Sequence, residues 1–178
     1  MVTAAGQQNK MVEAIKSGDI EKIVPLFLPK GAEEYEDIVT VALKTIVRCI
    51  DRHAYPLNGA LVNKVDLVKP VSQELAGGDG WKVGFSDGKG GLCSLASGFA
   101  KEEFTVVDED VQDAVGELLN CISGLFATAQ SNKGITLELM PPEMGDDVSV
   151  SGSDILIMPF GIGDTTVNFV VTNKKGWR

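Results

Sequence analysis

The 178-residue sequence predicts an α+β fold: a sandwich of two long helices packed on an antiparallel-rich sheet, with a pseudo-two-fold internal repeat and an N-terminal helical extension. Three observations carry this expectation. Long helical patterns run over Ala32–His53 and Asp108–Gln130, and each is followed by short β-rich runs punctuated by glycine and proline. The two halves also align, Thr45-Ile-Val-Arg-Cys-Ile on Glu117-Leu-Leu-Asn-Cys-Ile, at an offset of 121 − 49 = 72 residues. Strands stopping at Pro70 and Pro141 keep nearly the same spacing, 141 − 70 = 71, so the order helix, strand, hairpin is used twice.

Taken in order, Gln8–Lys16 and Asp19–Leu28 read as short helices separated by Ser17-Gly18-Asp19, where the glycine stops one and Asp19 caps the next. Pro25 and Pro29 limit the second, and Pro29-Lys-Gly reads as a linker. Residues 1–31 are therefore expected as a helical arm packing on a main domain, 32–178. In that domain Ile38, Val41, Ala42, Thr45, Ile46 and Cys49 recur at three-to-four spacing and give the first long helix one apolar face. Leu61–Val68 reads as a strand ending at Pro70. A glycine-rich zone follows, with Asp87-Gly88 as a hairpin signal, and then Ser97–Val106 as a short helix. After the second long helix, Ile135–Met140 reads as a strand halted by Pro141-Pro142. Val148–Val150 and Ile155–Met158 read as further strands, and Thr165–Val171 closes the β-rich region behind a turn at Gly161-Ile-Gly163-Asp164.

Composition excludes several functions. With 16 Lys+Arg against 25 Asp+Glu the net charge is −9, which phosphate backbones and anionic lipids would repel. Lys174, Lys175 and Arg178 are the nearest thing to a basic stripe and read as a solvated tail. The N-terminus lacks a signal-peptide pattern and no apolar stretch is long enough to span a bilayer, so the expectation is a cytoplasmic protein without nucleic-acid or membrane partners. Cys49, Cys93 and Cys121 are odd in number and widely spaced, and His53 is the single histidine, which argues against a zinc site and against disulfides. His53 reads as a surface or C-cap residue rather than a base. Gly84-Phe-Ser-Asp-Gly-Lys-Gly-Gly lacks the spacing and the hydroxyl of a P-loop, and Asp146, Asp147 and Asp154 in or near loops indicate no dedicated cation site.

On a helical wheel at about 100° per residue, Val111, Val115, Leu118, Leu119, Ile122, Leu125, Phe126 and Ala129 share one apolar face of the second long helix. Opposite lie Asp113, Glu117, Asn120 and Gly124 at i, i+3 and i+4 spacing, while Asp108, Glu109 and Asp110 crowd the positive N-terminal end. Such a polar face is ordinarily just solvated. Here Asn120, Gly116 and Gly124 are weak helix formers, each glycine costing about 1 kcal/mol relative to alanine. That is the pattern of a face kept low for a docking partner, although Gly116 equally suits close packing on a neighbour.

Asp113-x3-Glu117-x2-Asn120, with Pro141-Pro142 following 141 − 120 = 21 residues on, resembles the signature of the CheC/CheX/FliY phosphatases of bacterial chemotaxis, and its single copy looks most like CheX. The likeness takes in Asp110-Val-Gln-Asp-Ala-Val-Gly-Glu-Leu-Leu-Asn-Cys-Ile-Ser-Gly, the strand before Pro141 and Gly90-Gly91-Leu92, and extends over about residues 32 to 172. The resemblance implies a CheC/CheX-like sandwich and a phosphatase acting on the aspartyl phosphate of a CheY-like response-regulator receiver. By the same resemblance Glu117 and Asn120 are the catalytic pair: Asn120 orients the attacking water and Glu117 pairs with the receiver's lysine. Asp113, Gly116 and Gly124 contact the partner. No cofactor of its own is implied, with Mg²⁺ expected in the receiver, and a homodimer accords with the family although no sequence feature demands one. The chemistry is coherent: a carboxamide holds a water without bringing negative charge to a phosphoryl group. Two departures stand out. The first helix offers Thr45 and Arg48 where the motif has Glu and Asn, leaving one active face, and the arm falls outside the family pattern, free to cover the docking face or to supply a dimer contact. Two other readings compete, a catalytically silent module binding a receiver or flagellar-switch component through the same face, and a structural dimer packed on the glycine-bearing helix. Residues 101–120 carry one lysine and seven acids, 1 − 7 = −6, an acidic rim suited to a partner that offers lysine.

Overall fold

Asp19 caps the first helix described along its whole length in the computed structural model, which describes Gly6, Glu13 and residues 16–173. The helix expected over Gln8–Lys16 lies, apart from Glu13 and Lys16, outside the described residues, as do Lys174, Lys175 and Arg178. Helix α1 (Ile20–Phe27) starts where the Asp19 carboxylate accepts the Glu21 amide at 3.1 Å. Val24 is fully buried, and the Phe27 carbonyl accepts the Gly59 amide at 2.9 Å. After a 3₁₀ turn at Glu33–Tyr35, α2 (Glu36–Cys49) begins later and stops earlier than the apolar pattern indicates. Its end is set by the Ile46 carbonyl, which accepts both the Ile50 and the Asp51 amides and so breaks the α-helical ladder.

The described strands form one antiparallel sheet of eight: β1 (Tyr55–Pro56), β2 (Ala60–Leu67), β3 (Val71–Ala76), β4 (Trp81–Lys89), β5 (Glu138–Leu139), β6 (Glu143–Met144), β7 (Val148–Ile162) and β8 (Thr165–Thr172). Helices α3 (Gly91–Ala100) and α4 (Glu109–Ser131) lie between β4 and β5 in the chain. The order β1-β7-β8-β4-β3-β5, with β2 also on β7 and β6 also on β3, carries the internal repeat. Exchanging β1/β2 with β5/β6, β3 with β7 and β4 with β8 reverses the order and leaves the sheet unchanged. In the central β4–β8 pair, Phe85 stands opposite Phe169 with ring centroids 5.2 Å apart. The main core joins α2, α3 and α4 to the sheet, and Trp81 of β4 ties the layers together, edge-on to Tyr35 at 5.9 Å and to Phe126 of α4 at 5.1 Å. A smaller cluster of Leu67, Val150, Ile155 and Val170 is separate from it.

Several element boundaries differ from the sequence expectation. Strand β3 is unannounced in the sequence, because Val71, Ser72 and Gln73 are all buried and the apolar-polar alternation of a half-exposed strand is absent. Asp87-Gly88 makes no hairpin: both residues lie inside β4, whose register against β8 slips between Asp87 and Lys89. A Cβ on Gly88 would stand 2.8 Å from the Thr166 carbonyl oxygen, so this glycine marks a bulge with close backbone approach. The β3–β4 turn uses Gly77–Gly80 instead, with Gly77, Gly78 and Gly80 all at positive φ. The helix expected over Ser97–Val106 is α3, shifted upstream, its first turn fixed by the Leu92 amide donating to Asp87 Oδ1 at 3.0 Å. The strand expected over Ile135–Met140 shrinks to β5. The strands expected at Val148–Val150 and Ile155–Met158 are one strand, β7, bent where Asp154 takes a φ of 51° and the register with β2 slips between Val62 and Lys64. The turn before the last strand forms as expected, with Gly163 at a φ of 60°.

Candidate functional site

The Asp108 carboxylate caps α4 by accepting the Val111 amide at 3.0 Å. From there the expected apolar face packs inward through Val111, Val115, Leu118, Leu119, Ile122 and Phe126. The buried strip is wider and rotated relative to the wheel. Leu125 is 53% exposed and Ala129 only half-buried, whereas Ala114, Gly116, Ser123 and Gln130 are buried. Contact of α4 with α3 and with β3, β5 and β6 buries more than the single face a wheel assumes.

Asp113, Glu117 and Asn120 are exposed along one line of α4, one turn apart, and Gly124 continues the line with nothing within 4 Å of an added Cβ. Gly116 differs from the other four: it is buried, and an added Cβ would stand 3.4 Å from both Met144 Cε and Pro142 Cβ. It floors an open groove of about 470 Å³ between α4, Phe99 of α3 and the Pro142–Met144 stretch, with Asp113, Glu117, Asn120 and Cys121 along one wall. Met144 and Met140 remain more than two-fifths exposed, giving the rim beside these polar groups an adaptable apolar surface.

Behind Asn120 lies a residue without a sequence signal. Gln73 of β3 is 1% exposed, and its Nε2 donates to Asn120 Oδ1 at 2.8 Å and to the Met140 carbonyl at 2.8 Å. The prolines create the opening for it. Leu75 pairs with Leu139 and Ala76 with Glu138, but Val71 pairs with Met144 and Ser72 with Glu143, so the register moves by one residue across Met140-Pro141-Pro142. Continuing the β5 register would put Pro141 opposite Gln73, and proline has no amide hydrogen to continue the ladder.

The equivalent turn of α2 has lost these features. Thr45, in the place of Glu117, is 6% exposed and donates to the Val41 carbonyl at 2.8 Å. Lys44, in the place of Gly116, pairs with Glu21 of α1. His53 is exposed and accepts from Arg52 Nε at 3.2 Å, outside the groove. Among the described residues no three His, Cys, Asp or Glu are grouped to hold a metal ion, and no helix is long and apolar enough to cross a membrane.

A pseudo-symmetric sheet faced by helices, with one groove built on an acid-amide pair, defines a sandwich of the CheC/CheX type. The family model described as chemotaxis phosphatase CheX matches residues 73–160. Similar solved structures include the chemotaxis protein CheX from Desulfovibrio desulfuricans, at 20% identity and TM-score 0.66, covering 79% of this chain and 98% of that one. A CheC-like superfamily protein from Shewanella has 19% identity and TM-score 0.60, covering 76% and 93%. CheX in the CheX–CheY–BeF3–Mg²⁺ complex from Borrelia burgdorferi has 21% identity and TM-score 0.57, covering 76% and 94%. No curated protein matches the sequence. The family-model match and the fold make this chain similar to the CheX chemotaxis phosphatases.

Proposed function

We propose that this protein hydrolyses the aspartyl phosphate of a CheY-like receiver, with Glu117 pairing with the receiver's active-site lysine and Asn120 orienting the attacking water. The observation that carries the reading is the exposure of Glu117 and Asn120 one turn apart on α4, at a groove whose other wall offers Pro142 and Met144 to a docking surface. The Borrelia CheX bound to CheY supports the class of partner.

The reaction asks little of the phosphatase. Water attacks phosphorus in line, the bond from phosphorus to the aspartyl oxygen breaks, and the products are the free carboxylate and inorganic phosphate, which keeps the water's protons. A carboxylate is a good leaving group and the receiver supplies Mg²⁺, so positioning of the water is the main contribution required, on the order of 10²-fold or more. Asn120 suits this, being neutral and able both to donate and to accept. Glu117 is suited to a lysine, and Asp113 and Gly124 extend the contact along the helix.

The test is phosphate release from a phosphorylated receiver of the same genome. Asn120→Ala is expected to abolish turnover while leaving binding largely intact, and Glu117→Ala to weaken both. Binding by the wild-type protein without faster phosphate loss from any of its host's receivers would replace this reading with that of a silent receiver-binding module.

A further inference from the structure

We infer that Gln73 is a positioning residue that sets which end of the Asn120 amide faces the partner, an inference that rests on the water-orienting role proposed for Asn120. The assignment follows from one fixed point. The Met140 carbonyl only accepts, so the Gln73 atom 2.8 Å from it is the amide nitrogen. That nitrogen gives its second hydrogen to the Asn120 side chain at 2.8 Å, so the oxygen of Asn120 is turned toward β3 and its NH₂ group toward the groove. A backbone carbonyl freed by the Pro141-Pro142 break therefore orients Gln73, and Gln73 orients Asn120.

The remaining atom of Gln73 points the same way. Its Oε1 is buried and has no hydrogen-bond partner. A buried acceptor left unpaired is a cost to folding, and an apolar side chain of similar shape at position 73 would remove it. What an apolar residue cannot supply is the pair of hydrogens.

The orientation matters because the incoming group is anionic. With its NH₂ outward, Asn120 donates to a phosphoryl oxygen or to the water's oxygen, while the second lone pair of Oδ1 remains available for a water hydrogen. The flipped amide would turn its oxygen outward and repel the phosphoryl group. Gln73 is too deeply buried to touch a docked protein, so its contribution falls on the reacting geometry rather than on docking.

Gln73→Met removes both donors at similar volume, and Gln73→Glu keeps at most one hydrogen, which the Met140 carbonyl takes, so that Asn120 meets an acceptor that draws its NH₂ group inward. For Gln73→Met, kcat on the phosphorylated receiver is expected to fall on the order of tenfold with KM within about twofold, and Gln73→Glu is expected to lose more. A folded Gln73→Met protein with undiminished kcat, or with its loss confined to KM, would overturn the inference. A measurement on the protein without its partner separates this inference from the phosphatase reading and stands even if the Gln73 variants do not fold. The side-chain amide resonances of Gln73 are expected to be protected from exchange in the wild type, and one of the two is expected to lose that protection in Asn120→Ala. Unchanged resonances would overturn the orientation whether or not the wild type is a phosphatase.

Discussion

Cys121 sits one position beyond Asn120 on the groove wall and is exposed, whereas Cys93 of α3 is half-buried. Burial first, and then the nearby carboxylates of Asp87 and Asp108, push the Cys93 thiol above its ordinary range. Since the thiolate is the nucleophile, Cys93 reacts slowly near neutrality and gains reactivity only as the pH climbs past the usual thiol range. Limited alkylation with a bulky maleimide at neutral pH is therefore expected to label Cys121 before Cys93 and, through Cys121, to stop turnover by filling the groove. Cys121→Ser should keep its activity and resist inactivation. Peptide mass spectrometry locates the label, and earlier labelling of Cys93 would contradict the order.

At the scale of elements, the two glycines of α4 have different jobs. Gly124 has open space around it, so Gly124→Ala is expected to stabilise the protein by about 1 kcal/mol and raise Tm by roughly 2–4 °C. Gly116→Ala must press on Met144 and Pro142 at 3.4 Å, and its helical gain is expected to be largely cancelled. Thermal melts of the two variants separate these outcomes. If Gly124→Ala also lowers affinity for the receiver, the open space is used in docking. The same contrast shows what a sequence reveals about elements. Helix α4 was legible because its cap, its apolar spacing and its polar stripe are all local features of one segment. Strand β3 was not, because burial on both faces erases its periodicity, and Asp87-Gly88 misled because turn and bulge draw on the same residue chemistry. In the site, Asp113, Glu117 and Asn120 were legible as one stripe. Gln73 was hidden because a glutamine in a strand looks like an outward-facing residue, and its contact crosses 47 positions of sequence. Pro141-Pro142 was read as a strand stop, which it is, but the carbonyl it frees can be seen only in three dimensions.

Charge belongs to the scale of the whole molecule. The net −9 is unevenly spread, and Glu102, Glu103, Asp108, Glu109, Asp110, Asp113 and Glu117 are all exposed along the approach to α4 and its first half. Association with a lysine-bearing receiver is expected to weaken severalfold, about one decade at most, as salt rises from tens to hundreds of millimolar, chiefly through the on-rate. Glu102→Gln with Glu103→Gln should flatten that dependence, and a salt-independent Kd would remove the acidic rim from the recognition. The placement of Trp81, held edge-on between Tyr35 and Phe126, gives such measurements an internal control. Its indole reads the seam between sheet and helices rather than the groove. With Trp177→Phe leaving it as the sole emitter of the chain's two tryptophans, its fluorescence becomes a label-free gauge of whether each variant is still assembled before its catalysis is compared.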